Sequence, residues 1–365
     1  MENKVLIVFR ITILLLILPF ENVVYSQNFK ITKANVEFRG GYRNVSVDKE
    51  TIGESTGFRG DYLFVNFSGD ISDKWHFDFR QRLNRSVSDE SYFDGTDKAL
   101  IRFTPNEKWS FDFGKRCVAI GGCDFAILPI NLYFTGQYCD LLALYQWGAS
   151  VSFNTQSDAF KFEVVQSPFR KYSSNRNVYG YNLLWEGTHG CVDFIHSVNL
   201  FEVAPGSFVN WIMLGHRFNI GDFSLEADVL NKYSIPGHGV KSSRFFFEDY
   251  SLVGKLIYRP TEKVNLAVKY CYDKNKIEDP EVNCDLHVTH GTSINRLGGI
   301  VEYYPLVKSK KDFLRLHMAG FYDWGKNTND EGLKDKQLTL MVGATIRVDF
   351  TIIRIIHQKN SEEIF

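Results

Sequence analysis

Tyr145-Gln-Trp-Gly-Ala-Ser-Val-Ser-Phe-Asn154 alternates without a break: Tyr145, Trp147, Ala149, Val151 and Phe153 fall on one side of an extended chain. Gln146, Gly148, Ser150, Ser152 and Asn154 fall on the other. Successive side chains of a strand point to opposite faces, so this is a strand with one apolar and one wet face. The same period recurs outward in both directions. Trp75, Phe77 and Phe79 oppose His76, Asp78 and Arg80; Phe160, Phe162 and Val164 oppose Lys161 and Glu163; Val264, Leu266, Val268, Tyr270 and Tyr272 oppose Asn265, Lys269 and Asp273. From residue 34 onward no segment sustains the i, i+3, i+4, i+7 spacing of an amphipathic helix.

Reading these runs in order predicts sixteen strands, near 34–46, 58–69, 75–83, 98–104, 109–116, 145–154, 159–166, 178–186, 191–202, 208–218, 222–232, 248–259, 264–274, 294–304, 312–324 and 337–350. Connections near 70–74, 105–108, 155–158, 187–190, 219–221, 260–263 and 305–311 read as short. Those near 47–57, 84–97, 117–144, 167–177, 203–207, 233–247, 275–293 and 325–336 are mostly long. Short turns at one end and long loops at the other are the habit of a transmembrane β-barrel. Trp75 and Trp109 each follow a short turn, within Asp73-Lys-Trp-His-Phe-Asp-Phe79 and Glu107-Lys-Trp-Ser-Phe-Asp-Phe113. Trp185 precedes another short turn and Trp324 adjoins a long loop, as expected of aromatic girdles at both membrane interfaces.

The fold class is therefore all-β, a sixteen-stranded antiparallel barrel. Lipid cannot satisfy open backbone edges, so a spanning sheet must close on itself, and at this strand number an aqueous interior is expected. Composition agrees. The chain has 365 residues, 44% apolar and 15% aromatic by type, with 42 Lys plus Arg against 43 Asp plus Glu. A net charge of −1 gives no excess for nucleic acid. The mean hydropathy of −0.20 hides a membrane protein because half of every strand faces water. The organisation read is a signal peptide over 1–26, with basic Lys4 and Arg10, an apolar Ile11–Phe20 block and cleavage after Ser26; a barrel over 27–350; and a periplasmic tail over 351–365. Strand sixteen places Leu338, Leu340, Val342, Ala344, Ile346, Val348 and Phe350 on one face. Either the tail extends beyond it or the strand is shifted.

Trp109-Ser-Phe-Asp-Phe-Gly-Lys-Arg-Cys-Val-Ala-Ile-Gly-Gly-Cys-Asp-Phe-Ala-Ile-Leu-Pro-Ile-Asn-Leu-Tyr-Phe134 resembles the phosphate-selective porin O and P family, through Gly114-Lys115, Gly121-Gly122, Pro129-Ile130 and Tyr133. The hairpin from Gly60–Phe64 to Trp75–Arg80 is also similar. The resemblance implies an outer-membrane channel of a Gram-negative bacterium, a homotrimer, with its third loop folded inward as a constriction. Phosphate-selecting members carry Lys on that loop, whereas residues 117–144 here have no Lys or Arg. Gly121, Gly122, Asp124 and Asp140 are the constriction-loop candidates. By alternation Arg39, Arg43, Arg80, Arg82, Arg102 and Arg116 line the pore with Glu37, Asp78 and Asp112, so a basic wall would face an acidic loop.

The expected function is passive diffusion of small hydrophilic solutes or inorganic anions, with the loop's composition counting against phosphate selectivity. The alternative is a non-conducting barrel that binds ligands at its surface. No catalytic activity, cofactor or metal is expected, and the partners are outer-membrane lipid and the solutes. His196 and Ser197 are adjacent on a strand and so point to opposite faces, which argues against a nucleophile and base acting together. Cys284, Asp285, His287 and His290 share one loop but read as solvated surface. Cys117 or Cys123 with Cys139, and Cys271 with Cys284, could each close a loop in an oxidising compartment; free thiols are the alternative.

Overall fold

The computed structural model describes residues 30–84, 93–140, 142–170, 177–235, 248–276, 291–307, 313–326 and 336–350. Its strands are β1 (Lys30–Val47), β2 (Glu50–Thr51), β3 (Gly57–Ser72), β4 (Trp75–Arg82), β5 (Thr96–Phe103), β6 (Trp109–Cys117), β7 (Tyr145–Asn154), β8 (Asp158–Gln166) and β9 (Tyr179–His189). They continue as β10 (Val192–Ala204), β11 (Ser207–Ile220), β12 (Phe223–Ile235), β13 (Asp249–Thr261), β14 (Val264–Asn275), β15 (Ser293–Tyr303), β16 (Leu314–Lys326) and β17 (Gln337–Asp349). The two-residue β2 merely extends one end of β1, at Ser46↔Thr51 and Val47↔Glu50. The other sixteen are the strands expected from alternation, each end within four residues of its expected place.

Every spanning strand pairs antiparallel with its neighbour, and β1 closes on β17 from Asn35↔Asp349 to Val47↔Gln337. Closure leaves no strand edge in lipid. Strand sixteen is not shifted: β17 runs where alternation places it, and Phe350 N–H still donates to Ala34 O at 2.8 Å. The leader 1–26 and the tail 351–365 lie outside the described residues. No helix among the described residues is long and apolar enough to cross a membrane.

Alternation resolves into an outside and an inside. Leu183, Val268, Met318, Leu340 and Val342 are exposed on the outer face, while Asn182, Lys269, His317 and Thr339 one residue away are buried within. The turns at 73–74, 190–191, 221–222 and 262–263 are two residues long; Gly221, with φ +57°, supplies the left-handed conformation one of them needs. Two connections differ from the expected rhythm. The turn at 205–206 is tight although it lies at the long-loop end, and 304–313 is longer than its short-turn neighbours.

At the short-turn rim Trp75 packs on Phe103 with ring centroids 4.7 Å apart, Trp109 on Phe153 at 5.0 Å, and Trp185 stacks between Phe160 and Phe194. At the other rim Trp324 lies beside Tyr322 and Tyr270. These are the two girdles expected of amphipathic rings at the membrane interfaces.

Candidate functional site

The connection 118–144 enters the barrel and lies along one wall. Its backbone is held by inward-facing side chains. Ala119 N–H donates to Glu163 of β8 at 2.7 Å, Gly121 N–H to Ser197 of β10 at 2.8 Å, and Cys123 and Asp124 N–H to the two carboxylate oxygens of Asp228 of β12 at 2.8 and 3.2 Å. Further along, Gln137 N–H donates to Asp273 of β14, and Arg296 of β15 donates to Thr135 O while pairing with Asp323 of β16. Arg39 of β1 donates to Ile130 O and Leu132 O at 2.8 and 2.7 Å, and Tyr133 donates to Glu302 at 2.8 Å. Burial pushes the Tyr133 hydroxyl up, so it remains a donor.

The glycines explain how close this loop can lie. Gly122 N–H donates to the strand carbonyl Ile195 O at 2.9 Å, with φ +93° at Gly122. A Cβ on Gly121 would fall 2.6 Å from Ile195 O and 2.8 Å from Ser197 N. Loop backbone therefore lies directly on strand backbone.

Alternation misled in one respect, since the inward face of this wall is not uniformly wet. Val165, Phe201, Val209, Trp211, Met213, Leu230, Val253 and Cys271 point inward and pack with Val118, Ile120, Tyr138 and Leu142 of the loop. A second cluster joins Tyr133 and Phe134 to Ile257, Ala267, Ile300, Ala319, Phe321 and Met341. Burying an aliphatic side chain such as Ile120 or Ile130 contributes about 1.5–3 kcal/mol. The loop thus seats as a hydrophobic layer pinned by polar contacts, and it covers the wall from β8 through β17 and reaches Arg39 of β1.

The candidate residues divide accordingly. Asp124 does not face the basic wall; it is buried against Lys269 of β14, the two side chains 1% and 2% exposed, with Thr135 Oγ1 donating to the same carboxylate. The transverse field expected from Asp124 is therefore spent on holding the loop. The side chain of Asp140 lies outside the described residues. Arg39, Arg80 and Arg116 are buried rather than presented to solute: Arg39 clamps the loop, Arg80 donates to Asn66, and Arg116 joins Asp112 and Glu163 at 2.7 and 3.0 Å. Asp112 is buried between Arg116 and Arg102.

The wall left uncovered carries the water-facing charges. Arg102 makes a two-pronged contact with Asp112 at 2.6 and 3.1 Å, yet its side chain is 43% exposed. Lys98 pairs with Asp78 at 2.8 Å, both partly exposed. Arg82 pairs with Asp97, and Arg43 and Arg59 with Asp61. Asp61 and Asp97 were not anticipated as lining residues. Asp97 lies just before the expected strand start at 98, and nothing local marks either as the partner of an arginine on a neighbouring strand.

Ser197 faces inward, bonded to Gly121 N–H and donating to Asn199, while His196 lies on the outer face, as expected from their adjacency. Cys117, Cys123, Cys191 and Cys271 are free thiols, so the alternative of reduced cysteines holds for them. Burial pushes the Cys123 thiol up, keeping it protonated and inert. Cys284, Asp285, His287 and His290 lie outside the described residues. No group of three or more metal-ligating side chains occurs among the described residues.

Residues 32–187 match the family described as phosphate-selective porin O and P. Among curated proteins none matches the chain significantly. Solved structures share the fold at low identity. The outer membrane channel DcaP of Acinetobacter baumannii superposes with a TM-score of 0.58 at 10% identity, over 88% of this chain and 98% of that one. OmpT of Vibrio cholerae, in its trimer form, gives 0.56 at 14% identity over 88% and 100%. OccD3 (OpdP) of Pseudomonas aeruginosa gives 0.53 at 9% over 88% and 94%.

Proposed function

We propose that the protein is an outer-membrane diffusion channel for small hydrophilic solutes, because residues 32–187 match the phosphate-selective porin O and P family and the strands close into a sixteen-strand barrel. The reading rests on one observation: inside the barrel, the wall of β4–β6 keeps charged side chains in water while the opposite wall is sealed by the 118–144 loop. A charged group stays solvated only where water reaches it, so the passage runs beside Lys98 and Arg102. It is a passive route and not a catalytic site.

Selectivity for phosphate is not part of this reading. The loop supplies no cation, and Arg82 and Lys98 each face a carboxylate of their own, while Arg43 and Arg59 share Asp61 and Arg102 shares Asp112 with Arg116, so the field left to concentrate anions is only partly cancelled and far from a ladder of free cations. Three copies in the outer membrane are proposed by analogy with the OmpT trimer form. The deciding measurement is current through the purified protein in planar bilayers, with the reversal potential taken in asymmetric potassium chloride. Ohmic steps with at most a modest potential on the anion-selective side are expected. Absence of any conductance would instead favour a closed barrel that binds ligands at its surface.

A further inference from the structure

Outside the channel, two imidazoles meet on the lipid-facing side of the barrel. His196 of β10 and His216 of β11 are diagonal neighbours across the ladder, where Phe194 pairs with His216 and His196 with Leu214. Both lie on the outward parity, next to exposed Val198 and Leu214, and both are half-buried. Their Nε2 atoms are 3.3 Å apart, with ring centroids at 4.7 Å and planes inclined by 63°.

That separation suits a shared metal ion. Two nitrogens bound tetrahedrally to zinc at about 2.0–2.1 Å stand about 3.3–3.4 Å from each other. The same gap also fits an N–H···N hydrogen bond, in which one ring donates through Nε2. A metal ion would take the place of that single proton, the donor ring then carrying its proton on Nδ1 as the acceptor ring already does. The surroundings hold the rings in place. Trp185 meets His196 edge-on at 5.3 Å, Phe194 meets both imidazoles edge-on at 5.6 and 5.4 Å, and Phe218 stacks on His216 at 6.3 Å. Ordered rings lose less freedom on binding than mobile ones. The pair lies in the short-turn girdle, where Trp185 donates to Asp158 at 2.8 Å and His189 shares the same carboxylate at 2.9 Å, so polar groups reach this depth.

We propose that His196 and His216 form a two-histidine site for a borderline divalent transition-metal ion such as zinc, its other positions open to water at the membrane interface. Imidazole nitrogens suit this class of ion, whereas magnesium and calcium prefer oxygen ligands. The site is independent of conduction.

The test uses the full chain, folded in detergent micelles without a polyhistidine tag and titrated with zinc in a calorimeter. One equivalent is expected to bind, and His196→Gln and His216→Gln should each weaken that binding about tenfold or more, as loss of one of two protein ligands requires. His189→Gln should leave it unchanged. A zinc isotherm identical in either single variant, or none in the parent protein, overturns the proposal. A measurement on the unaltered chain stands beside it: zinc should slow acylation of both His196 and His216 by diethyl pyrocarbonate, read by peptide mass spectrometry, without slowing that of His76. Unchanged rates at 196 and 216 overturn the proposal equally.

Discussion

Gly121 and Lys269 hold the inner loop by different physics. At Gly121 the constraint is space: an added methyl would enter the backbone of β10, 2.6 Å from Ile195 O. Gly121→Ala should therefore lift the start of the loop and raise single-channel conductance. Gly254→Ala, whose Cβ would meet nothing within 4 Å, should leave it unaltered. At Lys269 the constraint is charge. Its ammonium is buried against Asp124 and also donates to Phe134 O at 2.9 Å. Removing one member of a buried pair strands the other and costs about 3–5 kcal/mol, whereas replacing both with apolar groups of similar size is often neutral. Lys269→Met alone should give noisy, enlarged channels and a lower unfolding temperature. The double variant Lys269→Met with Asp124→Leu should recover most of the stability; no recovery would mean that the pair is not what the loop loses.

At the scale of the element, the 118–144 loop determines how much of the lumen stays open. Deleting residues 120–138 removes the hydrophobic layer over β8–β17 and should increase conductance several-fold in bilayers; an unchanged value would refute its role as the constriction. The strands around it were legible because lipid outside and water inside enforce period two over Tyr145–Asn154 and over β14. The loop's seat was not. Phe201, Trp211 and Met213 sit at inward positions, where alternation calls for polar residues, and only the loop folded over them explains their chemistry. Gly121-Gly122 and the cation-free run 117–144 were visible in the chain. Nothing local said that Asp124 would find Lys269 rather than the pore, because that contact spans 145 residues.

For the whole molecule, the near-neutral net charge is carried into the lumen only in part, since Arg43 and Arg59 share the one carboxylate of Asp61. Lys98 with Asp78 and Arg102 with Asp112 are the pairs set on the uncovered wall. Exchanging Lys98 and Arg102 for Gln removes two cations and leaves Asp78 and Asp112 in place, with Arg116 still beside Asp112. The charge of the wall then falls by two, and Asp78 is left without its cation. In a potassium chloride gradient the reversal potential should move toward the potassium equilibrium value. The effect should depend on salt, because the screening length is about 10 Å at 0.1 M and about 3 Å at 1 M. A clear shift near 0.1 M that fades near 1 M would mark these residues as the lining of the path. No shift at low salt would place the ions elsewhere in the barrel, since charge this exposed cannot border a current without biasing it.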